Sequence, residues 1–124
     1  MKYYSIGEAS TKFNIPESTL RYYEKRGLLP LIERDEAGRR LFSEHQMALL
    51  EAVICLKNTH MPINSIREYM AWIVEGDTTL ERRLDMMKKH KQRVLDEIAL
   101  LTQYLPGIDE KIERYIKKIE EERS

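Results

Sequence analysis

The chain is short of cysteine, of surplus charge and of long apolar runs, and each shortage excludes a class of protein. Cys55 is the single cysteine, so no disulfide can close within the chain, which fits a reducing compartment. No apolar stretch approaches the roughly 20 residues needed to span a bilayer. The opening MKYYSIGEASTKF has no apolar signal-peptide core, so a cytoplasmic protein with no membrane partner is expected. Basic and acidic residues number 21 each. The balance is also local: nine Lys/Arg face eight Asp/Glu in residues 1–62, and eleven face eleven in residues 77–124. A surface for a polyanion must therefore come from placement and not from a basic domain. Carboxylate pairs, a Ser/His/Asp set and a Gly-rich phosphate loop are also missing, so no enzyme and no cofactor are expected. His45, His60 and His90 are too scattered for ligand spacing, and a soft metal would need sulfur. No metal site is predicted.

What is present suits a mainly helical protein. Hydrophobic residues make up 42% and charged residues 34% of 124 positions, enough for one core plus an appendage and too apolar for disorder. A hydroxyl followed three residues later by Glu or Gln marks helix starts at Ser5–Glu8, Ser43–Gln46 and Thr78–Glu81. Pro16 before and Gly27 after bracket another helix, and a further one runs from near Pro62 to Gly76. Between them, LPLIERDEAGRRLF reads as a hairpin, with Leu31–Ile32 and Arg40–Phe42 as strands and Gly38 in the loop. So small a hairpin must lean on helices, as a wing does.

The helix from about Ser43 to Thr59 is apolar almost all round and is expected to be the buried spine of a head spanning residues 1–76. The helix after it carries one apolar stripe, Ile63, Ile66, Tyr69/Met70 and Ile73. Residues 77–124 differ in kind. Leu80, Leu84, Met87, Lys91, Val94, Ile98, Leu101 and Leu105 recur at alternating spacings of four and three, the register of a two-helix seam. Such a stripe on a projecting helix predicts a homodimer, with Lys91 able to fix register. Pro106-Gly107 is expected to end that helix, and a short C-terminal helix carrying Ile108, Ile112, Tyr115, Ile116 and Ile119 to follow and pack back.

SIGEASTKFNIPESTLRYYEKRGLL carries the function. Two helices of about eight to eleven residues, joined by Phe13-Asn14-Ile15, have helix-turn-helix proportions, with the second helix suited to a DNA major groove. Thr19, Arg21, Tyr22 and Lys25 can face outward on that second helix, where Arg and Lys neutralise phosphate and Tyr donates to it or stacks. Spacing alone leaves an ordinary helical hairpin with a solvated basic face as the alternative.

The combination STLRYYEKRGLLP, GRRLF and SEHQMALLEAVICLKNTHMPINSIREYM resembles the MerR family of bacterial transcription regulators from about Tyr4 to Gly76. The resemblance implies a winged helix-turn-helix head and an antiparallel coiled-coil homodimer. It also implies double-stranded promoter DNA as partner, with a pseudo-palindromic operator in an overlong promoter spacer. Bending and untwisting of that DNA would then reach RNA polymerase indirectly, through the promoter. Matched to this sequence, the recognition helix is Pro16 to Arg26. Arg21 and Tyr22 would grip phosphate, Thr19 and Tyr23 would lie nearest the groove, and Arg39 and Arg40 in the wing would add phosphate contacts. His60 and Met61 would form a second wing. Many members have an apolar residue in place of Arg39 and Gly in place of His60.

Members with large ligand cavities carry a further C-terminal domain, which is not expected after so short a tail. Cys55 by itself reads as inert core packing on an apolar helix. The stretch ICLKNTHMPINSIREY, however, resembles the branch of the family tied to aldehyde and other thiol-reactive electrophile stress, in which a cysteine here is the candidate sensor. The alternative is a DNA-binding or coiled-coil interaction protein that senses nothing.

Overall fold

The computed structural model describes residues 2–124, and its contacts divide the chain into two compact units, one ending at Leu84 and one running from Asp85 to Ser124. In chain order the elements are β1 (Tyr3–Tyr4), α1 (Ile6–Phe13), α2 (Glu17–Lys25), β2 (Glu33–Arg34), β3 (Arg40–Ser43), α3 (Glu44–Asn58), α4 (Ile63–Glu75) and α5 (Leu80–Arg123). A single 3-10 turn, Asp77–Thr79, leads into α5.

The first unit is built on α3. Met47, Leu50, Val53 and Leu56 of that helix are buried with Ala9, Leu20, Leu28, Leu29, Phe42, Met61, Ile66 and Met70. The expected spine is therefore real, but only part of its circumference is covered: Ala48 and Cys55 are exposed. The α4 stripe closes over it through Ile66 and Met70, with Ile63, Tyr69 and Ile73 half-buried.

The capping signals held in one place and changed role in two. Ser5 and Glu8 form the reciprocal box, each side chain bonded to the other's backbone N–H at 3.0 Å. Ser43 accepts from Gln46 N–H as a cap should, at 3.1 Å. The Gln46 side chain does not return the bond. It donates to the carbonyls of Pro30 and Leu31 at 3.1 and 3.3 Å and so ties the wing to α3. Thr78 caps nothing; the buried Thr79 hydroxyl instead donates to Trp72 and Gly76 carbonyls, both at 2.7 Å. Arg83 bonds Thr79 Oγ1 and Gly76 O at 3.1 Å each, which fastens the first turn of α5 to the end of α4.

The sheet has three antiparallel strands in the order β1-β3-β2, with Tyr4 opposite Phe42 and Arg34 opposite Arg40. The strand expected at Leu31–Ile32 lies two residues later, at Glu33–Arg34. Leu31 stands at φ 63, a left-handed conformation that no strand accommodates. Strand β1 supplies the support that a bare hairpin lacks.

The second unit is the remainder of α5. The helix is continuous through Pro106, so Pro106-Gly107 does not end it and no separate C-terminal helix packs back. Proline removes one N–H and crowds the carbonyl four residues earlier, but the ladder resumes on both sides. Continuity has a consequence for the stripe. From Leu105 the apolar residues Ile108, Ile112, Tyr115 and Ile119 keep the same spacing of three and four, and all are exposed. The three-four spacing therefore continues on one helix from Leu80 to Ile119, with Lys91 as a polar position within it. No described helix is long and apolar enough to cross a membrane.

Candidate nucleic-acid interface

The turn between α1 and α2 is made by backbone chemistry. Asn14 takes the left-handed conformation, φ 54. The N–H of Ile15 then reaches Ser10 O at 3.1 Å and that of Asn14 reaches Thr11 O at 3.4 Å. This is a Schellman closure, which asparagine tolerates because its short polar side chain costs little there. The chain then enters α2 at Pro16, whose fixed φ suits a helix entrance.

On α2, Leu20 and Tyr23 are the buried face. Tyr23 is only 8% exposed, and burial raises its phenol pKa. Its ring anchors the helix and does not lie nearest a groove, which corrects the expectation. Arg21, Tyr22, Lys25 and Arg26 are exposed and Thr19 half-buried. Tyr22, 43% exposed, lies tilted against Tyr23 with ring centroids 6.4 Å apart, and the Arg26 guanidinium sits 5.9 Å from its ring centre. Arg21 reaches Glu17 at 3.2 Å, with both side chains about half exposed. That pair is worth little in water and yields readily to a phosphate. Arg26 was not singled out by sequence, although its position one residue past α2 was a signal.

The wing loop is fixed by Asp35, whose carboxylate accepts from Ala37 N, Arg39 N and Arg39 Nε, each at 2.9 Å. The Arg39 backbone bond is the largest influence, and together these hold the Asp35 carboxyl below its ordinary range. The Arg39 side chain is 80% exposed. Arg40 differs from expectation. It is 22% exposed and its Nε lies 2.6 Å from Glu24 of α2, so it faces the protein. Arg34, which spacing did not flag, meets the same Glu24 at 3.1 Å.

After α3 the chain turns at His60, φ 68, with Met61 N–H bonded to Leu56 O at 2.9 Å and His60 N–H to Lys57 O at 3.1 Å. This is again a Schellman closure, and it explains why glycine suits the position. His60 is exposed, as a second wing requires, but Met61 is 2% exposed and belongs to the core. Cys55 is exposed and not core packing. No described group of His, Cys, Asp and Glu could hold a metal.

Residues 4–72 match the MerR HTH family of regulatory proteins. An HTH-type transcriptional regulator of Haemophilus influenzae is 37% identical over 92% of this chain and 84% of its own length. Among solved structures, HiNmlR, a MerR family regulator lacking the sensor domain and bound to promoter DNA, superposes with a TM-score of 0.87 at 36% identity, covering 94% of this chain and 92% of that one. A MerR family regulator from Bacillus thuringiensis gives 0.86 at 40% identity, covering 91% and 99%. With the helix-turn-helix, the wing and the long α5 in place, the chain belongs to the MerR family and is a DNA-binding transcription regulator, not an enzyme.

Proposed function

We propose that two copies, joined along α5, grip a pseudo-palindromic operator in an overlong promoter spacer and act by bending and untwisting it. The observation that carries this reading is the three-four register on α5, exposed at most of its positions, with Met87 and Val94 half-buried. Leu84, Ile98, Leu101, Leu105, Ile112 and Ile119 are each about half exposed, an apolar stripe that water disfavours and that a second copy of the same helix would cover. An antiparallel seam pairs each stripe with itself by two-fold symmetry. Such a dimer would place one α2 in each of two major-groove half-sites.

In this reading Arg21, Tyr22, Lys25 and Arg39 hold phosphates, Thr19 lies toward base edges, and His60 adds a backbone contact. Those contacts set register and supply the grip that a deformed duplex needs. RNA polymerase is affected only through the promoter, and the protein works in the cytoplasm. The exposed Cys55 supports a thiol trigger, because a buried sulfur would not meet an electrophile.

Gel shifts on the region upstream of the protein's own gene test the reading, with in vitro transcription beside them. Binding should weaken steeply with salt as counterions are released, and circular permutation of the site should reveal a bend. A dimer that binds without bending would remove the deformation mechanism.

A further inference from the structure

Arg34 and Arg40 are cross-strand partners in the β2–β3 ladder. Like charges directly opposite each other destabilise a sheet pair, and β2 is only two residues long. A hairpin this short with two facing guanidiniums should not hold its shape. The charge that resolves the conflict comes from another element. Glu24, on the last turn of α2, accepts from Arg40 Nε at 2.6 Å and from Arg34 Nη2 at 3.1 and 3.3 Å. Arg34 also donates through Nη1 to Gly38 O in the wing loop at 3.0 Å. Glu24 and Arg40 are each 22% exposed, so this pair is less screened than a surface ion pair.

We propose that Glu24 is a positioning residue: a single carboxylate that bridges both wing strands to the recognition helix and so fixes where Arg39 delivers its charge. The inference rests on the reading that the wing touches phosphate. It assigns Glu24 a role in affinity although Glu24 is an anion beside a polyanion.

That sign makes the test sharp. If Glu24 were only a bystander charge, Glu24→Gln would remove one negative charge per subunit, tighten binding and steepen its salt dependence. If it is the clamp, the wings come loose, affinity falls about tenfold, and the slope of log K against log salt becomes shallower by about two for the two wings. The probe is a duplex selected from a random-sequence pool by the full-length wild-type chain. Hydrogen exchange on the free protein supplies a second readout: the Asp35 and Gly38 amides should exchange faster while α3 amides do not change. Glu24→Asp, which keeps the charge but withdraws it by one methylene, should fall between wild type and Glu24→Gln, and it carries the test if Glu24→Gln fails to fold.

Tighter binding in Glu24→Gln, or weaker binding with an unchanged salt slope, overturns the clamp. Arg39→Ala, measured in parallel, separates the two ideas: if it leaves the slope unchanged, the wing's phosphate contact is absent and the fault lies with that reading.

Discussion

Leu28 N–H donates to Tyr23 O at 2.9 Å across the end of α2, and Gly27 N–H bonds Glu24 O at 3.0 Å. This crossing of bonds ends the recognition helix, and it requires Gly27 at φ +76. A Cβ placed there would strain the backbone and meet Arg67 Cδ at 3.1 Å. Gly27→Ala should therefore destabilise the head by about 1–2 kcal/mol, mostly as left-handed strain, since the Arg67 side chain can shift. Thermal unfolding should show a midpoint lower by about 5 °C or more. An unchanged midpoint would mean that the turn relaxes without its left-handed residue.

Arg21 of α2 pairs with one exposed carboxylate, Glu17. Because its pair with Glu17 is exposed, Arg21→Ala should leave stability within about 0.5 kcal/mol. DNA affinity should still drop, with the salt slope falling by about one for each Arg21 removed. Gel shifts at two salt concentrations separate this from a folding defect. Unaltered affinity would take Arg21 out of the interface.

The parts of the fold that depend on near neighbours were legible in the sequence. Ser5–Glu8, Pro16 and Gly27 each state their role within a few residues. Two of the failures share a cause: a long-range partner overrode a local rule. Gln46 has the spacing of a capping residue, yet the carbonyls of Pro30 and Leu31 sixteen and fifteen positions earlier claim its amide. Arg40 looks like a phosphate ligand until Glu24, sixteen residues away, is brought to it. Pro106 is a helix breaker by propensity, but the three-four spacing on either side of it predicts one helix, and that periodicity won. Helical spacing alone puts Tyr22 and not Tyr23 on the outward face; the resemblance drew Tyr23 toward the groove, and its 8% exposure goes with the spacing.

Asp35 gives the wing a defined response to acid. Its carboxyl is held below the ordinary range, first by the Arg39 backbone N–H, so the folded wing favours the ionised form. The stabilisation is complete above the pKa of an unconstrained aspartate and is lost as pH falls through the lower folded value. The wing should consequently be indifferent to pH near neutrality and loosen only in strong acid. Carboxyl titration by NMR should place Asp35 below the ordinary aspartate value. Asp35→Ala should speed amide exchange at Ala37 and Arg39 at neutral pH.

Pro106 and Ile98 test the seam from opposite directions. Proline deprives the helix of one hydrogen bond, and the register requires a straight run past it. Pro106→Ala should raise dimer stability by about 1–3 kcal/mol and move the unfolding midpoint upward. Ile98, 55% exposed, lies near the middle of the proposed seam; Ile98→Lys should give monomers by sedimentation and abolish operator binding while the head stays folded. A monomeric wild type at micromolar concentration would remove the proposed dimer, and a dimeric Ile98→Lys would place its interface elsewhere.

Cys55 is the last and most specific case. Its exposure on α3 means that Cys55→Ser removes no core contact, and the two residues have similar helix propensity. Stability and operator affinity should therefore match wild type. An aldehyde would add to the thiol by forming a bond from sulfur to the carbonyl carbon, with the thiol proton ending on the oxygen. Serine's hydroxyl is far less nucleophilic, so transcription from the target promoter should rise with aldehyde in wild type and stay flat in Cys55→Ser. In vitro transcription with purified components isolates this step from any cellular relay. Full induction in the serine variant would leave the regulator's DNA binding intact and remove the sensor role from this thiol.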